Sequence, residues 1–224
     1  MHTLHNELIA QLEQADQARL LVNSEVIELK VGTFLDKEES ISSSIYFPVS
    51  CVITQFVHKP GAAMGEGLAV GLIGREGASG LQAVLGMGAG NFQSIVQSSG
   101  SAIVVKTVTA QNLVKRNNKV LLLFSKYMWR TFNENTLFAA LAHTQEIKTR
   151  LAHWLLLCAE RSEPSPLRLT QAQIAQSLGV RRTSISIAAR EMKLKRYLAY
   201  SRGEIRLLNI HALESMANAH RKNK

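Results

Sequence analysis

The sequence predicts an α+β chain with an N-terminal β-roll of jelly-roll type, a long helix and a C-terminal winged helix-turn-helix. Short apolar, β-branched runs broken by Gly, Pro and Ser fill residues 26–108, which is typical of many short strands. Residues 118–161 contain neither Gly nor Pro and repeat apolar side chains at helical spacing. The last third holds the positive charge: residues 146–224 contain 15 basic and 6 acidic side chains, whereas residues 1–145 contain 11 of each.

Composition excludes several classes of protein. With 224 residues and 46% apolar side chains, the chain is expected to be soluble and cytoplasmic. Its longest apolar runs fall short of the roughly 20 residues needed to cross a bilayer, and the N-terminus shows no secretory signal. Cys51 and Cys158 lie far apart without neighbouring Cys or His pairs. We therefore predict structural thiols, no disulfide framework, no metal site and no membrane contact.

The first part begins with residues 3–20, where Leu4, Leu8, Leu12 and Ala15 predict one face of an amphipathic helix. Strands should follow, because the apolar runs are short and carry turn residues between them. The segments predicted as strands are VIELKVG (26–32), SIYFPVSCVITQFV (44–57), LAVGLIG (68–74), SIVQSS (94–99) and SAIVVKTV (101–108).

The second part is predicted as one long helix, or as two helices with a bend. It has two apolar stripes, and a β-roll of this size can cover only one of them. We expect the other stripe to pair with a second subunit as a two-helix coiled coil, although both stripes facing the chain's own core stays open. The stripe expected at the dimer interface contains Leu121, Phe124, Met128, Asn135 and Phe138.

The third part contains two short helices in succession. Thr170 and Gln173 form the Thr-x-x-Gln pattern of a capping box, so a helix should begin at Gln171 and end at Gly179. A second helix is expected over about 182–196, with Ile185, Ala188, Ala189 and Met192 buried and basic or small polar residues facing outward. This order predicts a helix-turn-helix that presents its second helix to DNA. A solvated basic helix face is the alternative for such a helix taken alone.

The segment YLAYSRGEIRLLN then predicts two strands joined at Arg202-Gly203, a β-wing with an arginine at its tip. Taken together, the capping box, the turn glycine, the basic outer face and the wing favour DNA binding over the solvated face. The excess positive charge of residues 146–224 also favours a polyanionic partner for this part of the chain, and nucleic acid is the commonest such partner.

With these motifs in place, the chain resembles the Crp/Fnr family of bacterial transcription regulators over nearly its whole length. The matching segments are IYFPVS, GREGASG, the long helix and LTQAQIAQSLGVRRTSIS. The resemblance implies a sensor domain like those that bind cyclic nucleotides (1–117), a dimerisation helix (118–145), a hinge near Glu146 and a winged helix-turn-helix domain (146–224). It also implies a homodimer on a near-palindromic site in double-stranded DNA, with RNA polymerase as a further partner.

Carried over by position, the resemblance implies phosphate contacts from Thr170 and Gln171 and base reading by Arg182. Thr183 and Ile187 depart from the glutamate and second arginine that are frequent in the family. The DNA-binding motif is thus intact while the target sequence is expected to differ. The full set of expected DNA contacts is Thr170, Gln171, Arg181, Arg182, Thr183, Ser184, Ser186, Ile187, Arg190 and Arg202.

The glycine-rich stretch GLIGREGASG raises the question of an effector. In members that bind cyclic nucleotides, a Gly-Glu pair holds the ribose and a later Arg-Ser or Arg-Thr pair holds the phosphate. Here Glu76 could serve as the glutamate, but Asn91 and Phe92 stand in the place of the second pair, and no Lys or Arg lies between Arg75 and Lys106. We therefore expect no cyclic nucleotide. Arg75 either holds another anion or is a surface arginine paired with Glu76.

The sequence thus predicts a sequence-specific DNA-binding transcription regulator that does not depend on a cyclic nucleotide. A cyclic-nucleotide-activated regulator of the same architecture is the first alternative. A nucleotide-dependent enzyme that uses the glycine-rich loop is a distant one, since no Walker A motif or catalytic constellation is present. We predict no enzymatic activity and no cofactor, and the effector stays open.

Overall fold

The computed structural model describes residues 5–35, 41–58, 67–88, 91–162, 166–201 and 203–218. These residues form an N-terminal β-rich domain, a long helix and a C-terminal helical domain with a small sheet. The helices are α1 (Glu7–Ala10), α2 (Gln14–Leu21), α3 (Thr107–Arg116), α4 (Asn118–Thr144), α5 (Ile147–Arg161), α6 (Gln171–Leu178), α7 (Arg182–Leu194) and α8 (Ile210–Ala217). The strands are β1 (Glu25–Leu29), β2 (Ser44–Pro48), β3 (Val52–His58), β4 (Gly67–Ile73), β5 (Phe92–Ser98), β6 (Gly100–Lys106), β7 (Leu167–Arg168), β8 (Leu198–Ser201) and β9 (Glu204–Leu207).

The N-terminal strands build two antiparallel sheets, with strand orders β1-β6-β2 and β4-β3-β5. Ile53 in the centre of the second sheet is paired with Ile73 on one side and Val96 on the other. These three side chains pack against Leu29 and Ala102 of the first sheet, so a small apolar core lies between the sheets. The strands predicted from the sequence are confirmed, except that the run predicted over 44–57 forms two strands, β2 and β3.

The expected barrel is not closed in the described residues. Each sheet has three strands, and the links between the sheets are single bridges, Phe34 with Ile95 and Tyr46 with Ser79. Phe34 and Ser79 lie outside the strands, so no strand of one sheet is paired along its length with a strand of the other. The architecture is therefore two facing sheets of a jelly-roll type.

The predicted helix over residues 3–20 is wrong as a single helix, because α1 and α2 are separate. The Asn6 side chain accepts hydrogen bonds from the backbone of Leu8 and Ile9 and donates to the carbonyl oxygens of Pro48 and Gly77. This cap fixes α1 against the β-rich domain. Both expected leucines in the described part, Leu8 and Leu12, are buried, whereas Ala15 is exposed.

The second part is two helices with a bend, one of the two forms expected. The chain leaves α4 at Gln145, whose φ of −117° and ψ of 151° are extended, and α5 begins two residues later. The break therefore lies at Gln145 and Glu146, where the resemblance implies a hinge.

The stripe of α4 that was expected at a dimer interface is buried in the chain's own core. Phe124 is wholly buried among residues of the β-rich domain, and the Phe138 ring lies 5.3 Å from the ring of Trp154 in α5. In the orientation that satisfies both the oxygen and the nitrogen of its side-chain amide, Asn135 donates from that nitrogen to the carbonyl oxygen of Val70 at 2.8 Å. The stripe expected at a dimer interface thus faces the chain's own core. The remaining residues of that stripe, Leu121 and Met128, are partly buried against the same core.

The exposed apolar residues of α4 lie on another face. Leu122, Trp129 and Phe132 are 55%, 64% and 56% exposed, and the last two rings are stacked with centroids 5.5 Å apart. Trp129 follows Leu122 by seven positions and precedes Phe132 by three, which is the spacing of a coiled-coil seam. A single chain leaves this seam open to solvent.

The C-terminal domain packs α5, α6, α7 and α8 around a buried centre and carries the sheet β7-β9-β8. Its core continues into the N-terminal domain, since Val52, Ala69 and Leu72 belong to the same buried cluster as Trp154 and Leu178. The two domains of one chain therefore share an apolar core, and α5 is the helix that joins them.

Candidate nucleic-acid interface

The first helix of the helix-turn-helix begins where the sequence predicts. The Thr170 hydroxyl accepts from the Gln173 backbone N–H at 3.2 Å, and the Gln173 side-chain oxygen accepts from the Thr170 N–H at 2.9 Å. This is the complete reciprocal capping box. Gly179 ends the helix with a φ of +64°, a left-handed conformation that favours glycine. Both ends of α6 are thus set by local chemistry.

The turn leads directly into α7, which begins at Arg182 and ends at Leu194. The four residues predicted to be buried on its inner face are all buried in the structure: Ile185, Ala188, Ala189 and Met192. The small alanines let the helix lie close to α5 and α6. The predicted helix is therefore confirmed, with its end two residues earlier than expected.

The outer face of α7 presents the predicted DNA-contacting side chains. Arg181, Arg182, Thr183 and Arg190 are exposed, and Ile187 is 62% exposed. An isoleucine this open to solvent at the centre of a helix face is available for an apolar partner such as a thymine methyl group. Ser184 and Ser186 are partly buried at the edge of this face.

A hydrogen bond joins the two helices at this face. The Ser186 hydroxyl lies 2.6 Å from the Gln171 side-chain oxygen and donates to it. The bond fixes the start of α6 relative to the first turns of α7. The two predicted phosphate-contacting positions and the base-reading helix therefore form one rigid surface.

The N-terminus of α7 adds a positive field to this surface. Arg181 occupies the N-cap position without a side-chain hydrogen bond to the first turn. The free N–H groups and the aligned peptide dipoles favour a negative group there. A DNA phosphate or an electronegative base edge suits this end of the helix.

The wing lies beside the same surface. Strands β8 and β9 pair with Tyr200 opposite Ile205, and Gly203 turns the chain with a φ of +82°. A Cβ atom on Gly203 would lie 3.8 Å from the Thr170 methyl group, so the tip of the wing is next to the start of α6. Arg202, the arginine expected at this tip, lies outside the described residues.

The structure adds basic residues that the sequence interpretation missed. Arg168 stands on β7, a two-residue strand that pairs with β9, and its side chain is 83% exposed. A strand this short leaves no periodic signal in the sequence. Arg206 is exposed on β9 and so belongs to the wing as well. Its charge was visible in the sequence, but its place on the wing was not.

The two candidate effector residues are held by the chain itself. The Arg75 guanidinium lies 3.0 Å from the Glu7 carboxylate, so the expected pair with Glu76 is wrong. Glu76 instead lies 3.2 Å from Arg161, the last residue of α5. The loop also packs closely against α4, since a Cβ atom on Gly77 would lie 1.9 Å from the Tyr127 hydroxyl oxygen. Gly71, Gly74 and Gly77 thus serve close packing against α4 and α5.

Asn91 and Phe92, which stand in the place of the family's second pair, carry no charge. Asn91 is exposed, and Phe92 begins β5 opposite Val57, so the position carries an apolar strand residue. No group of three or more His, Cys, Asp or Glu side chains in this part of the chain could hold a metal ion. Within the same residues, no helix is long and apolar enough to cross a membrane.

The helix-turn-helix has a counterpart among known protein families. Residues 149–216 match the Crp-like helix-turn-helix domain family. A search of curated proteins finds no match to the chain. Solved structures are similar over most of the chain at low sequence identity, which establishes the fold.

A Crp/Fnr-family regulator from Eubacterium rectale has a TM-score of 0.70 at 17% identity, covering 94% of this chain and 97% of that one. FixK2 from Bradyrhizobium japonicum has a TM-score of 0.72 at 14% identity, covering 86% and 96%. The c-di-GMP responsive global regulator CLP of Xanthomonas campestris has a TM-score of 0.68 at 12% identity, covering 87% and 99%.

Proposed function

We propose that this chain, which has the fold of Crp/Fnr transcription regulators and a Crp-like helix-turn-helix domain, is a sequence-specific DNA-binding transcription regulator. The observation that carries the proposal is the outer face of α7. This face exposes Arg182, Thr183, Ile187 and Arg190 of α7, with Arg181 at the N-cap. Ser186 of the same helix is hydrogen-bonded to Gln171. Such a face offers both phosphate contacts and base-edge contacts.

The active species is a homodimer on a near-palindromic site. The exposed seam of Leu122, Trp129 and Phe132 on α4 supports this assignment, since large apolar side chains at coiled-coil spacing favour burial against a second copy. Two-fold symmetry then places two α7 helices in successive major grooves. We divide the chain accordingly into a sensor domain (1–117), a dimerisation helix (118–145) and a DNA-binding domain (146–224).

The regulator acts without a cyclic nucleotide. Glu76 is largely buried against Arg161, and Arg75 is paired with Glu7 at the surface, so both candidate side chains have partners within the chain in this conformation. Asn91 and Phe92 provide no cation for a buried phosphate, which would need a charge or several donors.

A nucleotide-activated regulator of the same architecture is the second candidate. It is favoured by one structurally similar protein, the CLP regulator, which is described as responsive to c-di-GMP. Calorimetry with cyclic AMP, cyclic GMP and c-di-GMP separates the two candidates. Micromolar binding of any of the three would establish the second one.

The test of the proposed function is selection of duplexes from a random-sequence library by the purified protein. We expect enrichment of a site with two related half-sites about 10 base pairs apart, centre to centre. Affinity for the enriched duplex should fall steeply as salt is raised, because phosphate contacts release counterions. Failure to enrich any sequence would contradict the proposal.

A further inference from the structure

The Glu76 carboxylate lies in a small polar site between the two domains of the chain. Its two oxygens accept from the Gly74 backbone N–H at 3.0 and 3.1 Å. One oxygen also lies 3.2 Å from Nε of Arg161. The Arg161 N–H does not point along a hydrogen-bonding direction, so this second contact is an ion pair. Both side chains are largely buried, with 16% of Glu76 and 6% of Arg161 exposed.

Three segments of the chain meet at Arg161. The glycine-rich loop contributes Gly74 and Glu76, and α4 contributes Glu134, whose carboxylate accepts from the Arg161 guanidinium. The loop is in direct contact with the end of α5, because a Cβ atom on Gly74 would lie 2.5 Å from the Arg161 carbonyl oxygen. Any side chain larger than glycine at this position would push the loop away from the guanidinium.

A backbone N–H and a guanidinium that converge on one point form an anion-binding site. Arg161 cannot lose its proton, so a buried guanidinium here needs an opposite charge beside it. The pKa of the Glu76 carboxyl is raised above its ordinary value, because burial outweighs Arg161 and the Gly74 N–H, which act in the opposite direction. Burial disfavours the charge on Arg161, but Glu76 and Glu134 outweigh it and raise the pKa of the guanidinium.

We infer that Glu76 is a built-in anion that fills the anion site formed by the Gly74 N–H and Arg161, and so joins the glycine-rich loop to α5 without an added ligand. The helix α5 packs against α6, α7 and α8, so its position sets the position of the helix-turn-helix. Glu76 and Arg161 are thus positioning residues for the DNA-binding surface. The inference rests on the proposed function and extends it to the link between the two domains.

The experiment is chemical rescue of Glu76→Ala, which removes the carboxylate and leaves space for a small anion. The unfolding temperature is measured in sodium formate, sodium acetate and, at equal ionic strength, sodium chloride. We expect Glu76→Ala to unfold at a lower temperature than the wild-type protein. Formate or acetate should raise the unfolding temperature of the variant saturably, with no such rise for the wild-type protein.

Two further variants control for a simple loss of packing. Glu76→Gln keeps the size of the side chain and occupies the site without a charge, so it should lose stability and gain nothing from formate. Glu76→Ala combined with Arg161→Met should also show no rescue, because the cation is gone. If Glu76→Ala does not fold, its refolding yield with and without formate gives the same readout.

A second readout addresses the position of the DNA-binding surface. The affinity of Glu76→Ala for the selected duplex should weaken in chloride and return toward the wild-type value in formate at the same ionic strength. Equal effects of formate and chloride on Glu76→Ala would overturn the inference. Failure of the wild-type protein to bind any duplex would instead overturn the proposed function, and the stability rescue could still be measured.

Discussion

Gly77 lies so close to Tyr127 that a Cβ atom on the glycine would be 1.9 Å from the tyrosine hydroxyl oxygen and 2.1 Å from the ring carbon that bears it. Tyr127 is buried at the face of α4 that packs on the β-rich domain. The contact gives Gly77 a packing role that does not involve a ligand. The loop follows a path against α4 that a side chain would block.

Gly77→Ala should therefore destabilise the protein by about 1–3 kcal/mol, the usual cost of overpacking a closed core. Denaturant unfolding gives the free energy for the variant. A double-mutant cycle with Tyr127→Leu provides the control, since removing the ring should cancel most of the penalty. An equal penalty in both backgrounds would show that the clash with Tyr127 is not its cause.

The seam on α4 predicts how the protein assembles. Trp129→Glu should convert the proposed dimer to a monomer while leaving the fold intact, because the side chain is 64% exposed in one chain. A charged residue at a central apolar anchor costs about 2 kcal/mol or more, or about 30-fold in the dissociation constant. Sedimentation velocity measures the change. Val108→Glu on α3, also exposed, is the matched control and should remain dimeric.

The end of α7 carries a strained residue. Arg196 has a φ of +57° and is the only non-glycine residue with a positive φ in the part of the chain that the structure describes. Arg196→Gly should stabilise the protein by about 0.5–1 kcal/mol, since glycine adopts this conformation without a steric cost. The control is Lys195→Gly, which removes the same charge at a φ of −79° and should be neutral or destabilising. A loss of stability in Arg196→Gly would contradict the expectation.

The two thiols should be inert in the folded protein. Burial raises the pKa of both Cys51 and Cys158 to about 12, from an ordinary value of 9.0. Thiolate is the reactive species, so iodoacetamide at pH 8 should label both residues slowly in the native state and rapidly in denaturant. Mass spectrometry follows the labelling.

The same shifts predict a dependence of stability on pH. Because folding raises the pKa of each thiol, the folded state favours the protonated thiols. Their contribution to the free energy of unfolding is present below about pH 9 and is lost as the pH rises toward 12. Replacement of both cysteines by alanine should weaken this alkaline loss of stability. An unchanged alkaline profile would assign the loss to other groups.

Local chemistry made part of the molecule readable from the sequence. The capping box at Thr170 and the glycine at position 179 act within a few residues, so both ends of α6 followed from the sequence alone. The β-branched runs likewise gave the strands of both N-terminal sheets. In each case the determining residues are neighbours in the chain.

The rotation of α4 could not be read in the same way. Phe124 and Trp129 are both large and apolar, and only the packing of the β-rich domain decides that the first is buried and the second exposed. The partner of Glu76 could not be predicted either, because Arg161 lies 85 positions later in the chain. Arg161 lies beside the loop only because the chain bends before α5. Long-range packing of this kind leaves no local signal.

The central claim, that α7 reads DNA bases, is tested most directly by Arg182→Ala on the selected duplex. Affinities are measured for the selected site and for a set of single-base variants, with Arg116→Ala on α3 as an exposed control. We predict a loss of about 1–3 kcal/mol and relaxed discrimination at one base pair per half-site. A uniform loss across all sequences, or the same loss for Arg116→Ala, would contradict base reading by Arg182.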